Sequence, residues 1–174
     1  ERYDVFQDIF GQEFGLPLAG KTVILWGHTS VQTRFMKEIL QRLGAEVIEE
    51  GTRVRLEGDR AEVTGFTALD TENMTDDHLA YLREIAAKWR GQGQEIFAVV
   101  SADGDGDRGL VATAEGEFIR GDVVGAIVAE FLGLSHLVMP LTGSEDVREY
   151  LDRIGVELVT SSVGWFLATT AMRP

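Results

Sequence analysis

The sequence has no cysteine, so neither a disulfide framework nor a thiolate metal site is available to it. That absence fits a reducing compartment, and a cytoplasmic location is expected. Basic residues are scarce: 16 Lys and Arg stand against 29 Asp and Glu, a formal net charge of −13. Such a surface repels a phosphate backbone and an anionic membrane alike, so no nucleic-acid partner and no membrane partner is expected. Histidines number three, and no two have the spacing of metal ligands. No apolar run approaches the ~18 residues of a membrane-spanning helix. The first ten residues, ERYDVFQDIF, are acidic and lack a continuous apolar core, unlike a signal peptide. They also lack an initiator Met, and the chain is expected to be a piece of something longer.

What is present is alternation. TVILWG (22–27) reads as a buried strand. Residues 31–44 place Val31, Phe35, Met36, Ile39, Leu40 and Leu43 on one helical face, with Gly44 where the helix should end. Residues 45–51 read as a second strand, and 52–66 as a polar loop with room for a short hairpin. Thr75–Arg90 reads as a helix, with Thr75 as N-cap and Asp76 and Asp77 in its first turn. Residues 95–101 read as a third strand. Residues 110–119 read as a strand turning through Glu115-Gly116, and 123–133 as an apolar helix. A second unit follows: a strand at 136–141, a helix at 144–155 with Ser144 as N-cap, and a strand at 156–162.

Residues 37–51 and 148–162 align without a gap, matching Leu40 with Leu151, Arg42 with Arg153, Gly44 with Gly155 and Glu46 with Glu157. The alignment leaves open whether this is duplication or what any strand–helix–Gly–strand unit requires. Either way the pattern predicts an α/β fold: a mixed β-sheet with helices on both faces, then a partial second β-α-β unit. The expected division is residues 1–134 and 135–174.

The stretch SADGDGDRGL (101–110) puts three aspartates at alternate positions directly after an apolar strand. Gly104, Gly106 and Gly109 satisfy the glycine spacing of a dinucleotide fingerprint. That motif must open a helix, and Asp105 and Asp107 would repel the pyrophosphate. Asp103, Asp105 and Asp107 also match the start of an EF-hand loop. Arg108 stands where that loop needs its glycine, and Ala114 where it needs its glutamate. A third reading is a Mg²⁺ site at a strand's C-terminal end. Three carboxylates there converge on one hard cation, and Arg108 offers a planar fork to a phosphate on the same ion. A solvated acidic turn is the plain alternative.

DGDGDR (103–108) resembles the metal-binding loop of the α-D-phosphohexomutases, the phosphoglucomutase/phosphomannomutase family. The flanks are similar too: EGEFIRGDVVGAIVAEFLG (115–133) with Gly121-Asp122, RIGVELVTSSVG (153–164), and LDTENM (69–74) ahead of a helix. The resemblance covers nearly the whole chain and corresponds to the second of four family domains plus much of the third. It implies that Asp103, Asp105 and Asp107 ligate Mg²⁺ and that Arg108 supports a transferring phosphoryl group. It also implies a parent enzyme that interconverts hexose 1- and 6-phosphates through a phosphoserine, with a hexose phosphate as partner. The family's serine loop, its sugar-recognition loop and its C-terminal phosphate-binding domain are not found in these residues. Phe166 and Leu167 stand where some relatives carry a basic residue. The chain is therefore expected to be a fragment, inactive alone. The alternative is a non-catalytic cation- or phosphate-binding module derived from the family.

The remaining candidates read as structural. His28 follows a buried strand and is expected to be satisfied by backbone, although it could face a cleft. His78 and His136 read as structural, and Ser30, Ser101 and Ser144 have no triad context. Trp89 and Trp165 read as core or interface anchors, and Asp122 as a helix N-cap.

Overall fold

The computed structural model describes residues 15–161 except 53, 58–59, 64–66, 68 and 141. The N-terminal stretch ERYDVFQDIF and the segment with Val163, Gly164, Trp165, Phe166 and Leu167 lie outside the described residues. The chain divides into two compact units between Ile119 and Arg120.

The first unit is built on a five-stranded mixed sheet, as the alternation of elements predicts. Its strands are β1 (Thr22–Trp26), β2 (Glu46–Glu50), β5 (Ile96–Ala102), β6 (Gly109–Ala112) and β7 (Phe118–Ile119), in the order β2-β1-β5-β6-β7. β1 runs parallel to both β2 and β5, while β6 and β7 continue the sheet antiparallel. All five residues of β1 are buried, as befits a central parallel strand covered on both faces.

Helix α1 (Thr33–Arg42) connects β1 to β2, and α2 (Asp76–Gly91) leads into β5. The first crossover runs from β1 to β2 and the second returns from β2 past β1 to β5, so the two run in opposite directions along the sheet. Right-handed connections therefore put their helices on opposite faces. On the α2 face, Leu82, Ile85 and Ala86 pack with Ile24, Trp26, Ile96, Val99, Leu110 and Ala112, and Trp89 is half-buried against them. Val23 and Leu25 point the other way by the pleat. Residues 52–66 hold the anticipated hairpin, β3 (Val54–Glu57) against β4 (Arg60–Val63).

The second unit contains α3 (Gly121–Phe131), β8 (His136–Pro140), α4 (Glu145–Ile154) and β9 (Glu157–Ser161), with β8 parallel to β9. Its core joins Ala126 and Ala129 to Met139, Val147, Leu151 and Val156. Thus α3 packs within this unit. The matched glycines play matched parts: Gly44 ends α1 at φ +97 and Gly155 ends α4 at φ +76, where a side chain would be strained.

One capping expectation is corrected and another is met in position. Asp122 is not the N-cap of α3; Arg120 is, and Asp122 lies in the first turn. Its carboxylate accepts from the Val123 N–H and, at 2.9 Å, from the Ser144 N–H. Ser144 does hold the N-cap position of α4, but its hydroxyl makes no capping hydrogen bond.

Candidate metal centre

β5 and β6 form an antiparallel hairpin in which Ala102 pairs with Gly109, so residues 103–108 are its turn. The turn closes with the Asp103 N–H donating to the Arg108 carbonyl at 3.1 Å. It lies at the C-terminal end of β5, beside the C-terminal end of β1. Those two parallel neighbours have connections that depart in opposite directions, and α/β sheets open a crevice for ligands at such a point.

Within the turn, Asp103 is 1% exposed. Its Oδ1 accepts from the N–H groups of Gly106 (3.0 Å) and Arg108 (3.3 Å), and its Oδ2 from Arg108 Nε (2.7 Å). Asp105 and Asp107 are exposed. One carboxylate oxygen from each of the three lies within 4.8 Å of the others. Gly106, at φ +79, lets the turn fold back on itself.

The electrostatics of the turn are divided. Burial pushes the Asp103 carboxyl up, but hydrogen bonds from the Arg108 side chain and backbone outweigh it and hold the group below the ordinary range. Asp107 is raised, by desolvation, by its hydrogen bond with Asp103, and by repulsion from Asp105 and Asp103. One guanidinium therefore does not neutralise the three carboxylates. The donor set is three hard oxygens on a tight turn with uncompensated negative charge, and it suits a hard divalent cation.

The sequence-derived residues Asp103, Asp105, Asp107 and Arg108 thus meet in one place. The structure adds partners that sequence reasoning missed. Arg108 Nη1 reaches Asp70 Oδ1 at 2.9 Å and Glu72 Oε2 at 3.3 Å. Asp70 is itself braced by Asn73 Nδ2 and the Glu72 N–H, at 3.0 and 3.1 Å. Both acids lie in LDTENM, which the sequence marks only as a flank of the motif.

The loop after β1 forms another wall. The Val31 N–H donates to the Gly104 carbonyl at 3.1 Å, and the Thr29 hydroxyl to the Thr67 carbonyl at 3.0 Å. Gln32 lies so close over Gly106 that a Cβ there would overlap its side chain. His28 is buried, with Nε2 2.6 Å from the Ala102 carbonyl.

Other candidates are structural here. Ser101 donates to the Trp26 carbonyl, the Ser30 hydroxyl accepts from the Gln32 N–H, and Trp89 Nε1 donates to Glu50. His78 completes a capping box with Thr75 at the start of α2, and His136 lies 3.0 Å from Glu157.

No protein-family model matches the chain. Individual relatives do. It is 31% identical over 147 residues to a phosphomannomutase of Sinorhizobium fredii, covering 84% of this chain and 27% of the relative. It is 37% identical over 170 residues to a phosphoglucosamine mutase of Dictyoglomus thermophilum, covering 91% and 31%. The chain thus spans under a third of the length of these curated relatives. Its fold is shared with a phosphoglucomutase/phosphomannomutase family protein of Burkholderia thailandensis, at a TM-score of 0.68 and 16% identity. That match covers 98% of this chain and 35% of the other. A phosphomannomutase structure from Thermus thermophilus gives a TM-score of 0.59 at 17% identity, covering 93% and 36%. Among the described residues no helix is long and apolar enough to cross a membrane.

Proposed function

The chain belongs to the α-D-phosphohexomutase family, and on that premise we propose that it carries the metal loop of a cytoplasmic, Mg²⁺-dependent phosphohexomutase. The enzyme interconverts hexose 1-phosphate and hexose 6-phosphate, with the phosphoserine contributed from outside these 174 residues. Asp103, Asp105 and Asp107 would hold the Mg²⁺, and when bound the ion supplies neutralisation of charge on the transferring phosphoryl group. Arg108 would bind and orient that group as a rigid fork. Asp70 and Glu72 hold the guanidinium from one side and Asp103 from another, so the fork enters the reaction already placed. The buried Asp103 fixes the base of the turn, while the exposed Asp105 and Asp107 keep it accessible.

The observation that carries this reading is the convergence of three carboxylates within 4.8 Å beside Arg108 at the end of β5. Thermal unfolding with and without Mg²⁺ tests it, because a ligand of the native state alone raises the midpoint. The midpoint is expected to rise with Mg²⁺ in the wild-type protein and not in Asp105→Asn. The 174 residues alone are expected not to turn over glucose or mannose 1-phosphate. A midpoint indifferent to Mg²⁺, or turnover at about 1 s⁻¹ or above, would overturn the proposal.

A further inference from the structure

His28 combines features that packing alone does not require. It is 1% exposed. Among the described residues it is the one non-glycine residue at positive φ, +29. Its Nδ1 is the one buried side-chain nitrogen or oxygen among them without a hydrogen-bond partner. Strain of this kind persists where the surroundings over-determine it, and it concentrates at functional sites.

What the strain secures is visible at the other ring nitrogen. The Ala102 carbonyl can only accept, so Nε2 carries the proton and donates to it at 2.6 Å, leaving Nδ1 without one. That carbonyl belongs to the peptide unit joining Ala102 to Asp103. The N–H of the same unit donates to the Arg108 carbonyl at 3.1 Å. A peptide unit is planar and rotates as one body, so His28 and Arg108 grip it at opposite ends. Asp103, the buried carboxylate of the turn, leaves the chain directly from that plane. The ring is held in turn by the edge of Trp26, with centroids 5.4 Å apart. Two more hydrogen bonds, Ser101 Oγ to the Trp26 carbonyl and the Val31 N–H to the Gly104 carbonyl, tie the same two strand ends together.

We propose that His28 is a positioning residue of the metal centre, fixing the Ala102–Asp103 peptide plane so that the Asp103 carboxylate faces the other two. It acts through the backbone and not as a ligand. This rests on the metal-loop reading above, and it adds a residue that motif spacing does not reveal. Partners one step removed from a metal typically change affinity by about 10–100-fold when lost.

Mn²⁺ is the probe, titrated into the 174-residue protein and followed by calorimetry and by the electron paramagnetic resonance of the bound ion. Metal-free thermal unfolding of each variant reports the fold separately. His28→Gln keeps a donor at the reach of Nε2. His28→Asn tolerates positive φ but carries its amide one bond shorter, and His28→Leu removes the donor. Leu and Asn are expected to weaken Mn²⁺ binding about tenfold and to alter its spectrum, with Gln within about threefold of wild type. If Leu does not fold, the Asn and Gln pair decides. Asn binding as tightly as wild type, or Gln losing as much as Asn, would overturn the proposal. So would variants that lower the metal-free midpoint while binding Mn²⁺ normally. A wild-type protein that binds no Mn²⁺ would remove the metal-loop reading and this inference together, whereas wild-type binding with indifferent variants would remove this inference alone.

Discussion

At φ +79, with the Gln32 side chain standing where a Cβ would go, Gly106 admits no substitution without moving the turn. Gly104, two residues earlier in the same motif, has no atom within 4 Å of its hypothetical Cβ and no positive φ. Gly106→Ala is therefore expected to cost about 1–2 kcal/mol from the backbone alone and to weaken Mg²⁺ binding. Gly104→Ala should stay within about 0.5 kcal/mol. Urea unfolding of the two variants measures the difference, and equal costs would mean that the turn is not held as described. Arg108 supports a second comparison. Asp103 is buried and keeps only backbone donors when the guanidinium is gone, so Arg108→Met leaves a carboxylate under-compensated. Because Arg108 is itself 38% exposed, solvent screens part of the loss, and about 2 kcal/mol is expected. Added Mg²⁺ should restore some of it, since the cation meets the same charge; the metal-dependent shift in unfolding midpoint should be larger in this variant than in wild type.

At the scale of elements, local signals are legible and remote ones are not. β1 was readable because an apolar run flanked by Gly20 and Gly27 has few other uses, and α2 because its start is encoded within four residues. Thr75 accepts from the His78 N–H at 3.3 Å while His78 Nδ1 reaches back to the Thr75 N–H. Thr75→Ala should accordingly lose about 1 kcal/mol, as caps commonly do. Circular dichroism during unfolding would follow it, and a neutral change would mean that α2 is held by its core face alone. Asp122 shows the converse. An aspartate after a glycine at a helix start looks like a cap, yet its second oxygen serves the Ser144 N–H, 22 positions away. The candidate site divides the same way. The three aspartates and Arg108 are legible because one turn contains them all. Asp70 meets Arg108 across 38 positions and His28 meets Ala102 across 74, distances at which spacing carries no signal. Only the order of the strands brings those loops together.

For the whole molecule, an excess of acid over base makes the compact state self-repelling, so mild acid should relieve repulsion. His28 works against that trend. Its folded-state pKa lies below the ordinary 6.5, chiefly because burial disfavours the cation, with the Ala102 hydrogen bond and the Asp103 charge opposing. Between its folded value and 6.5 the unfolded chain binds the extra proton and the native chain does not. Its contribution to stability is therefore complete above pH 6.5. It declines as pH falls below that value and levels off beneath the folded pKa, with a slope of at most about 1.4 kcal/mol per pH unit. Asp103, Asp70 and Glu49, all held low by their partners, lose their contributions only in stronger acid. Asp107, held high, has the opposite sign: its contribution is present below 3.8 and is lost as pH rises through its folded value. Across the interval from about pH 7.5 to about pH 5.5 His28 therefore makes the protein less stable as pH falls. Urea midpoints across it should fall more steeply with acid in wild type than in His28→Gln, where no imidazole remains to be protonated. Parallel slopes in the two proteins would mean that this histidine is charged as readily in the fold as outside it, and that the grip on the Ala102 carbonyl does not depend on a neutral ring.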